Sequence, residues 1–336
     1  MSLRDKVLKM DGPILVLGAS GFIGSNIYRS LCDHRDDVYG TASSFPFWRI
    51  EGSLVKHMIT CDLSLSHNLS MVLDNVAPKT IINCLSHGAY PFQKDELNIF
   101  EMNFGVIPTL MSYCEYARAK LIHAGTSSEY GSNSAGPKEN YVGIVDDMYA
   151  ITKQNATKYI RFAGKNVYSC SLRLYSVYGP WEDSSRLIPQ IIQFGLRQEI
   201  PPLAFPSISR DFIYVEDVVE AFVHASIYLE EKDYGGVFNI GTGLKTTLAE
   251  IGLLAYDKFR SASRPVYNSM PPRDWDHCND WYADPAKAGE RLNWKFKTPL
   301  AAGIDKTVEW YRLRLSNGKN WPSLRDCNSP KERGVI

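Results

Sequence analysis

The fold class expected from the sequence is α/β, a doubly wound parallel sheet followed by a second, smaller C-terminal α/β lobe. Three observations carry that expectation. Ile14–Leu17 is wholly apolar, as in a strand buried on both faces. The run ends in Gly18, with Gly21 and Gly24 following at intervals of three, and a helical pattern then sets Ile23, Ile27 and Leu31 on one face. Apolar strands and helical stretches keep alternating to about residue 125, the order that crossover connections between parallel strands produce.

Strand, glycine turn and helix in this order suit a dinucleotide (Rossmann) site. Glycines permit the tight turn and a close backbone approach, and the helix N-terminus offers N–H groups to a pyrophosphate. Gly18, Ser20, Gly21, Phe22, Ile23 and Gly24 are the candidates there. The 336 residues suffice for about two domains. We expect a dinucleotide-binding domain over 1–180, to which later segments return, a mainly substrate-binding lobe over 181–316, and a tail over 317–336.

Composition narrows the class. With 44% hydrophobic and 22% charged residues the chain is globular, not disordered. Its 37 basic and 37 acidic residues balance, so neither nucleic acid nor an anionic membrane is an expected partner. Seven dispersed cysteines, without a Cys-x-x-Cys pair or a Cys/His cluster at zinc spacing, point to reduced thiols and no metal site. The first residues, MSLRDKVLKMDGP, lack a secretory apolar region, and no run reaches the length of a membrane span. A cytoplasmic protein is expected.

The second strand, Asp37–Thr41, is not followed by the acid that would hold the ribose 2′-OH of NAD. Ser43, Ser44 and Arg49 follow instead. Hydroxyls and a guanidinium suit a 2′-phosphate, which places NADP slightly ahead of NAD; a plain surface loop is the alternative. After the third strand, His57–Thr60, Asp62 and Leu63 reach the adenine side, although an aspartate there equally suits a helix cap. Thr80–Cys84 is the fourth strand, and its loop, Leu85–Pro91, lies at the carboxyl edge where such sheets bind ligands. His87 in that loop has the chemistry of an acid, or is simply solvated. A long helix from about Leu97 to Arg118 leads to strand five, Leu121–Gly125, and to the hydroxyl-rich Thr126-Ser127-Ser128-Glu129-Tyr130-Gly131. Ser132–Asn140 reads as irregular surface.

The next helix opens at Asp146 and runs to about Ala163, with Tyr149 and Lys153 four apart on one face. An ammonium near a phenol favours the phenolate. Tyr149 is then able to exchange a proton with a substrate hydroxyl during hydride transfer, with Thr126 as a second hydrogen bond to the same oxygen.

GASGFIGS, the Thr126 loop ending in Tyr130-Gly131, and YAITK together resemble the extended short-chain dehydrogenase/reductase superfamily, in its NAD-dependent, nucleotide-sugar epimerase/dehydratase branch. SLRLYSVYGP (171–180), SRDFIYVEDV (209–218) and FNIGTG (238–243) extend the likeness over about Pro13 to Arg312. The resemblance implies a catalytic set of Thr126, Tyr149 and Lys153, a pyrophosphate turn at Gly18, Gly21 and Gly24, and arginines on a nucleotide diphosphate at Arg210 and Arg273. Guanidinium forks suit that last role, and an ion pair is the alternative for Arg210.

Three departures bear on the reaction. Family 4,6-dehydratases carry acids after the catalytic Thr; here those positions are Ser127 and Ser128, with Glu129 one place later. Serine is a poor donor for a departing hydroxide, which argues against dehydration. The family's strand-six Asn is Ser176, altering contacts to the sugar nucleotide. The loop ASSFPFWRIEG looks like that of NADP-using GDP-mannose dehydratases without their paired arginines.

The C-terminal part supplies helices from about Leu187 to Arg197, Thr247 to Arg260 and Leu300 to Arg314. Trp275, Trp281 and Tyr282 suit either a stacked nucleobase or a core. By analogy with the family, helix faces around Phe100–Cys114 and the Lys153 helix would build a homodimer. The expectation is an NAD(P)-dependent nucleotide-sugar oxidoreductase working at C4 of a nucleotide-linked hexose, leaning to a 4-keto-(6-deoxy)sugar reductase. A 4-epimerase with tightly bound NAD is the alternative. A 4,6-dehydratase or a non-catalytic cofactor sensor stands behind both.

Overall fold

The structure is a computed structural model and describes residues 1–132, 134–270 and 280–319. The first half comprises α1 (Leu3–Val7), β1 (Ile14–Leu17), α2 (Phe22–Cys32), β2 (Val38–Ala42), β3 (Met58–Thr60), α3 (Ser66–Val76), β4 (Thr80–Asn83), α4 (Glu96–Phe100), α5 (Val106–Ala117) and β5 (Lys120–Thr126). Then come α6 (Met148–Ala163), β6 (Ser169–Leu174), β7 (Ser176–Tyr178), α7 (Leu187–Gly195), β8 (Ser209–Arg210), β9 (Phe212–Tyr214) and α8 (Val215–Tyr228). β10 (Gly236–Ile240), β11 (Thr246–Thr247), α9 (Leu248–Phe259), α10 (Ala286–Leu292) and α11 (Leu300–Ser316) complete the described chain.

Seven strands form one parallel sheet in the order β10-β6-β5-β4-β1-β2-β3. This is the expected doubly wound sheet. Strand β1 shows why its sequence lacks polar alternation. Ile14 and Val16 face the core under α2 and α8, while Leu15 and Leu17 face the core under α3, α5 and α6. Strand order reverses between β1 and β4, which opens a crevice beyond their carboxyl ends.

The second lobe has its own core of Ile188, Ile191 and Ile192 from α7, Ile251 and Ala255 from α9, and Ile304, Val308 and Tyr311 from α11. Two small sheets, β7–β9 and β8–β11, attach it to the first. β10 returns to the large sheet, and α8 and α10 pack beside it.

Some local readings change. The helix expected over Leu97–Arg118 is broken by a π turn at Glu101–Gly105, which turns Asn103 inward. Its side chain there bonds the backbone of His87 on both sides and donates to the Thr152 hydroxyl at 3.0 Å. Ser132–Asn140 is irregular but not simply surface: Ser134, Pro137 and Glu139 are buried, and Glu139 accepts from the Asn239 amide. α8 escapes a periodicity search because it is buried along most of its length, with Asp217, His224 and Ser226 buried among its apolar residues. Cys32, Cys61, Cys84, Cys114 and Cys170 are free thiols. Cys278, Cys327, Trp275 and Arg273 lie outside the described residues. Among the described residues no helix is long and apolar enough to cross a membrane, and no His/Cys/Asp/Glu group is arranged to hold a metal.

Candidate active site

A cleft of about 2310 Å³ opens at the carboxyl ends of the sheet strands, between the two lobes. Pockets for one drug-sized ligand occupy roughly 300–1,000 Å³, so there is room here for a dinucleotide and a second ligand. Gly18 has φ +73, a conformation that favours glycine. A Cβ on Gly24 would lie 2.2 Å from the Gly18 carbonyl oxygen, so the first turn of α2 rests directly on the glycine turn. Helix α2 opens at Gly21 with no side-chain cap, leaving its N-terminal amides to an incoming anion. The Thr41 hydroxyl accepts from the Gly18 amide at 3.1 Å and fixes the turn to β2. These features fit a dinucleotide pyrophosphate. Gly24→Ala is expected to cost about 1–3 kcal/mol through this overlap and to remove the thermal shift that added NAD gives the wild type. An unchanged NAD shift would show that the turn does not hold the cofactor.

Ser20, Phe22, Ile23, Ser43, Ser44, Asp62 and Leu63 all line this half of the cleft. Ser43 and Ser44 are exposed along its wall. Asp62 does not cap α3, whose N-cap is Leu65; its Oδ1 accepts from the Ser64 amide and hydroxyl. Arg49 departs from expectation. It is only 2% exposed, its Nε and Nη1 donate to the carbonyls of Trp181 and Ser20, and its guanidinium lies 3.7 Å over the Trp48 ring. Instead of meeting a 2′-phosphate as an open cation, it works as a strut between the loop after β2 and the glycine turn. Main-chain carbonyls attracted it, and a sequence does not display those. Trp181, which the strut reaches, carries Arg29 at 4.1 Å and Arg314 at 4.7 Å over its ring, and thereby ties α2 to α11.

The reactive half is built from the ends of β4, β5 and β6 and the start of α6. Tyr149 is half-buried on the first turn of α6, whose N-terminus Asp147 caps. Burial raises its phenol above the usual range, a rise that hydrogen bonding with Thr126 and Ser86 and the charge of Arg186 only partly offset. Thr126 and Ser86 both line the cleft beside Tyr149; Ser86 was not foreseen. Lys153 lies on the same helix face but turns to the cleft floor, where Nζ donates to Leu85 O at 2.9 Å and Ala124 O at 3.0 Å. It is 2% exposed, and burial brings its ammonium down to about 8. The charge of Arg186 also favours the phenolate. Arg186 precedes α7 and carries no recognisable motif, which is why sequence reasoning missed it.

The loop after β5 is occupied with structure. Glu129 is fully buried, with Oε1 accepting from the Thr126 amide at 2.9 Å and Oε2 paired to Arg173 Nε at 2.7 Å. Ser127 is buried and accepts from the Trp281 indole at 3.1 Å, while Ser128 is half-buried against Thr126. Trp281 belongs to a small core with Tyr175 and Ala283, and Arg210 lies 5.0 Å over its ring. It is a wall of the cleft; Tyr282 instead bridges to Ala135. Ser176 and Arg210 line the cleft, and the Ser176 amide is bonded to Asp211 O. His87 also lines it, and burial keeps its imidazole below the usual range.

Comparison with known proteins gives a consistent picture. The model of the NAD dependent epimerase/dehydratase family matches residues 14–241. The chain is 27% identical to the UDP-glucose 4-epimerase of Mycolicibacterium smegmatis over 318 residues, covering 89% of this chain and 98% of that protein. It is 24% identical to the dTDP-4-dehydro-6-deoxyglucose reductase of Escherichia coli, covering 90% of this chain and 98% of that one. Among solved structures, MoeE5 in complex with UDP-glucose and NAD superposes with a TM-score of 0.76 at 26% identity, covering 90% of this chain and 100% of that one. The chain also matches three trifunctional proteins of Arabidopsis thaliana, of which it spans 50% of the length.

Proposed function

The chain belongs to the NAD-dependent epimerase/dehydratase family, and on that premise we propose that it is an enzyme oxidising and reducing C4 of a nucleotide-diphosphate hexose. The observation that carries this reading is a single contrast in the loop after β5. Tyr149 lines the cleft beside the Thr126 and Ser86 hydroxyls, while the carboxylate of that loop, Glu129, is paired with Arg173. Tyr149 takes the proton of the sugar's O4 as C4 is oxidised and gives it back on reduction. Thr126, which interacts with the Tyr149 phenol as Ser86 does, would give a second hydrogen bond to O4, and Lys153 fixes the floor between Leu85 and Ala124. Bound nicotinamide supplies the hydride acceptor and donor. Dehydration needs a further acid for the C6 hydroxide, and neither Ser127 nor the ion-paired Glu129 serves.

Within this class, internal return of the hydride in a 4-epimerase with retained NAD is the reading we favour. The reductase expectation leaned on an NADP-type loop, and the burial of Arg49 removes that support. Ser43 and Ser44, open on the wall, are what favours the second reading, an NADPH-using 4-keto sugar reductase. Arg210 and Ser176 are assigned to the sugar nucleotide, with Arg273 from outside the described residues. A homodimer is part of the proposal, because Leu97 (78% exposed) and Phe162 (76%) leave apolar surface on α4 and α6.

Native mass spectrometry of the purified protein tests these points together. The expected species is two chains, each holding one NAD. An empty protein that then binds NADPH more tightly than NADH would overturn internal return in favour of the reductase, and a monomer would remove the dimer.

A further inference from the structure

The strands under α6 carry polar side chains where apolar ones would be ordinary. Asn83 of β4, His123 of β5 and Ser171 of β6 pair in one row across the sheet, and all three are buried. Their neighbours fix the face they occupy. Ile82, Ile122, Cys170 and Leu172 belong to the core on the opposite side of the sheet, whereas Leu121 belongs to the core that α6 covers. Strand alternation therefore turns Asn83, His123 and Ser171 toward the α6 side. On α6, Lys153 reaches Ala124 O of β5 at 3.0 Å, and Ile160 packs in the same core as Leu121. Thr157 lies between them on that helix face and so stands level with His123, buried like it.

Hydrogen bonds decide which imidazole nitrogen carries the proton. Asn83 Oδ1 accepts from the Leu85 amide at 3.1 Å, which leaves Asn83 Nδ2 to meet His123 Nδ1 at 3.2 Å. A side-chain amide nitrogen only donates, so Nδ1 is the acceptor and the proton sits on Nε2. Burial and the charge of Lys153 hold the imidazole well below its usual range, and the ring is neutral. His123 Nε2, the Ser171 hydroxyl and the Thr157 hydroxyl are all buried without a hydrogen-bond partner among the described residues, and none of them bonds another. Buried polar groups are almost always paired, with ordered water where the protein itself does not reach.

We infer that His123, Ser171 and Thr157 enclose one structural water between the sheet and α6. The chemistry selects water over an ion. A cation would meet the Nε2 proton, and two neutral hydroxyls hold no anion. Water accepts from Nε2 and is able to donate to both hydroxyls, which gives it about three partners, the usual number for a buried water. From the imidazole, the bonds continue through Asn83 to Leu85, whose carbonyl receives Lys153 Nζ at 2.9 Å. The water is thus the inner end of the framework that holds the cleft floor. This inference is independent of the reaction assigned to the cleft.

A crystal structure of the full chain, at a resolution that shows individual ordered waters, tests it. The expected result is density for one water within hydrogen-bond distance of His123 Nε2, Ser171 Oγ and Thr157 Oγ1. A site without such density, or side chains that bond one another directly, overturns the inference. Ser171→Ala combined with Thr157→Val removes two of the three partners, and a single bond is too little to retain a buried water. The density should then be lost. A water that persists in this variant overturns the assignment of its partners. Should the variant not fold, the wild-type density decides alone.

Discussion

Tyr149→Phe is expected to lower turnover by about 10²–10⁴-fold, the range typical of a positioned proton-transfer group. The substitution removes one oxygen from a half-buried ring on the first turn of α6 and leaves the packing of that turn in place. Binding should therefore survive. The glycine turn and the wall formed by Ser43, Ser44 and Leu63 do not involve the phenol, so the NAD content of the variant should match the wild type. Steady-state rates on a panel of UDP-, dTDP- and GDP-hexoses, together with the dinucleotide content of each preparation, check both halves. Lost NAD would make Tyr149 a binding group instead of the acid/base. Full activity would mean that another group handles the proton.

The second large effect concerns stability. Glu129 and Arg173 form an ion pair with side chains 0% and 5% exposed, under the loop that carries Thr126. Arg173 also lies 4.3 Å over the Tyr130 ring, whose hydroxyl donates to Asn239 on β10. Removing the carboxylate alone leaves a guanidinium uncompensated inside the protein. Breaking a buried pair in this way typically costs about 3–5 kcal/mol. Glu129→Gln should thus move the urea unfolding midpoint strongly downward. Glu129→Leu combined with Arg173→Met should recover much of the loss, because no charge is then stranded. If the single and double variants unfold alike, the pair is not what holds this loop.

The same pair explains a limit of sequence reasoning. Read along the chain, Glu129 is a displaced acid beside a catalytic threonine, and its distance from the usual acid positions argued against dehydration. In three dimensions the same acid has a different reading: β6 brings Arg173 beneath the loop and occupies the carboxylate. Arg49 moved the other way. Its position after β2 suggested a phosphate ligand, and folding placed it against the carbonyls of Ser20 and Trp181, one of them 132 residues away in the chain.

By itself the sequence determined the sheet, the glycine turn, the Tyr149–Lys153 helix face and the family. Each depends on spacing within a short segment, where backbone geometry alone converts residue intervals into shared faces or tight turns. Tertiary structure decided which charges are free. Lys153 was committed to Leu85 and Ala124, Glu129 to Arg173 and Arg49 to Trp181. The availability of a charged side chain depends on which distant carbonyls and counter-charges packing brings to it, and on how much water packing removes. Both are properties of long-range contacts that residue order does not encode locally.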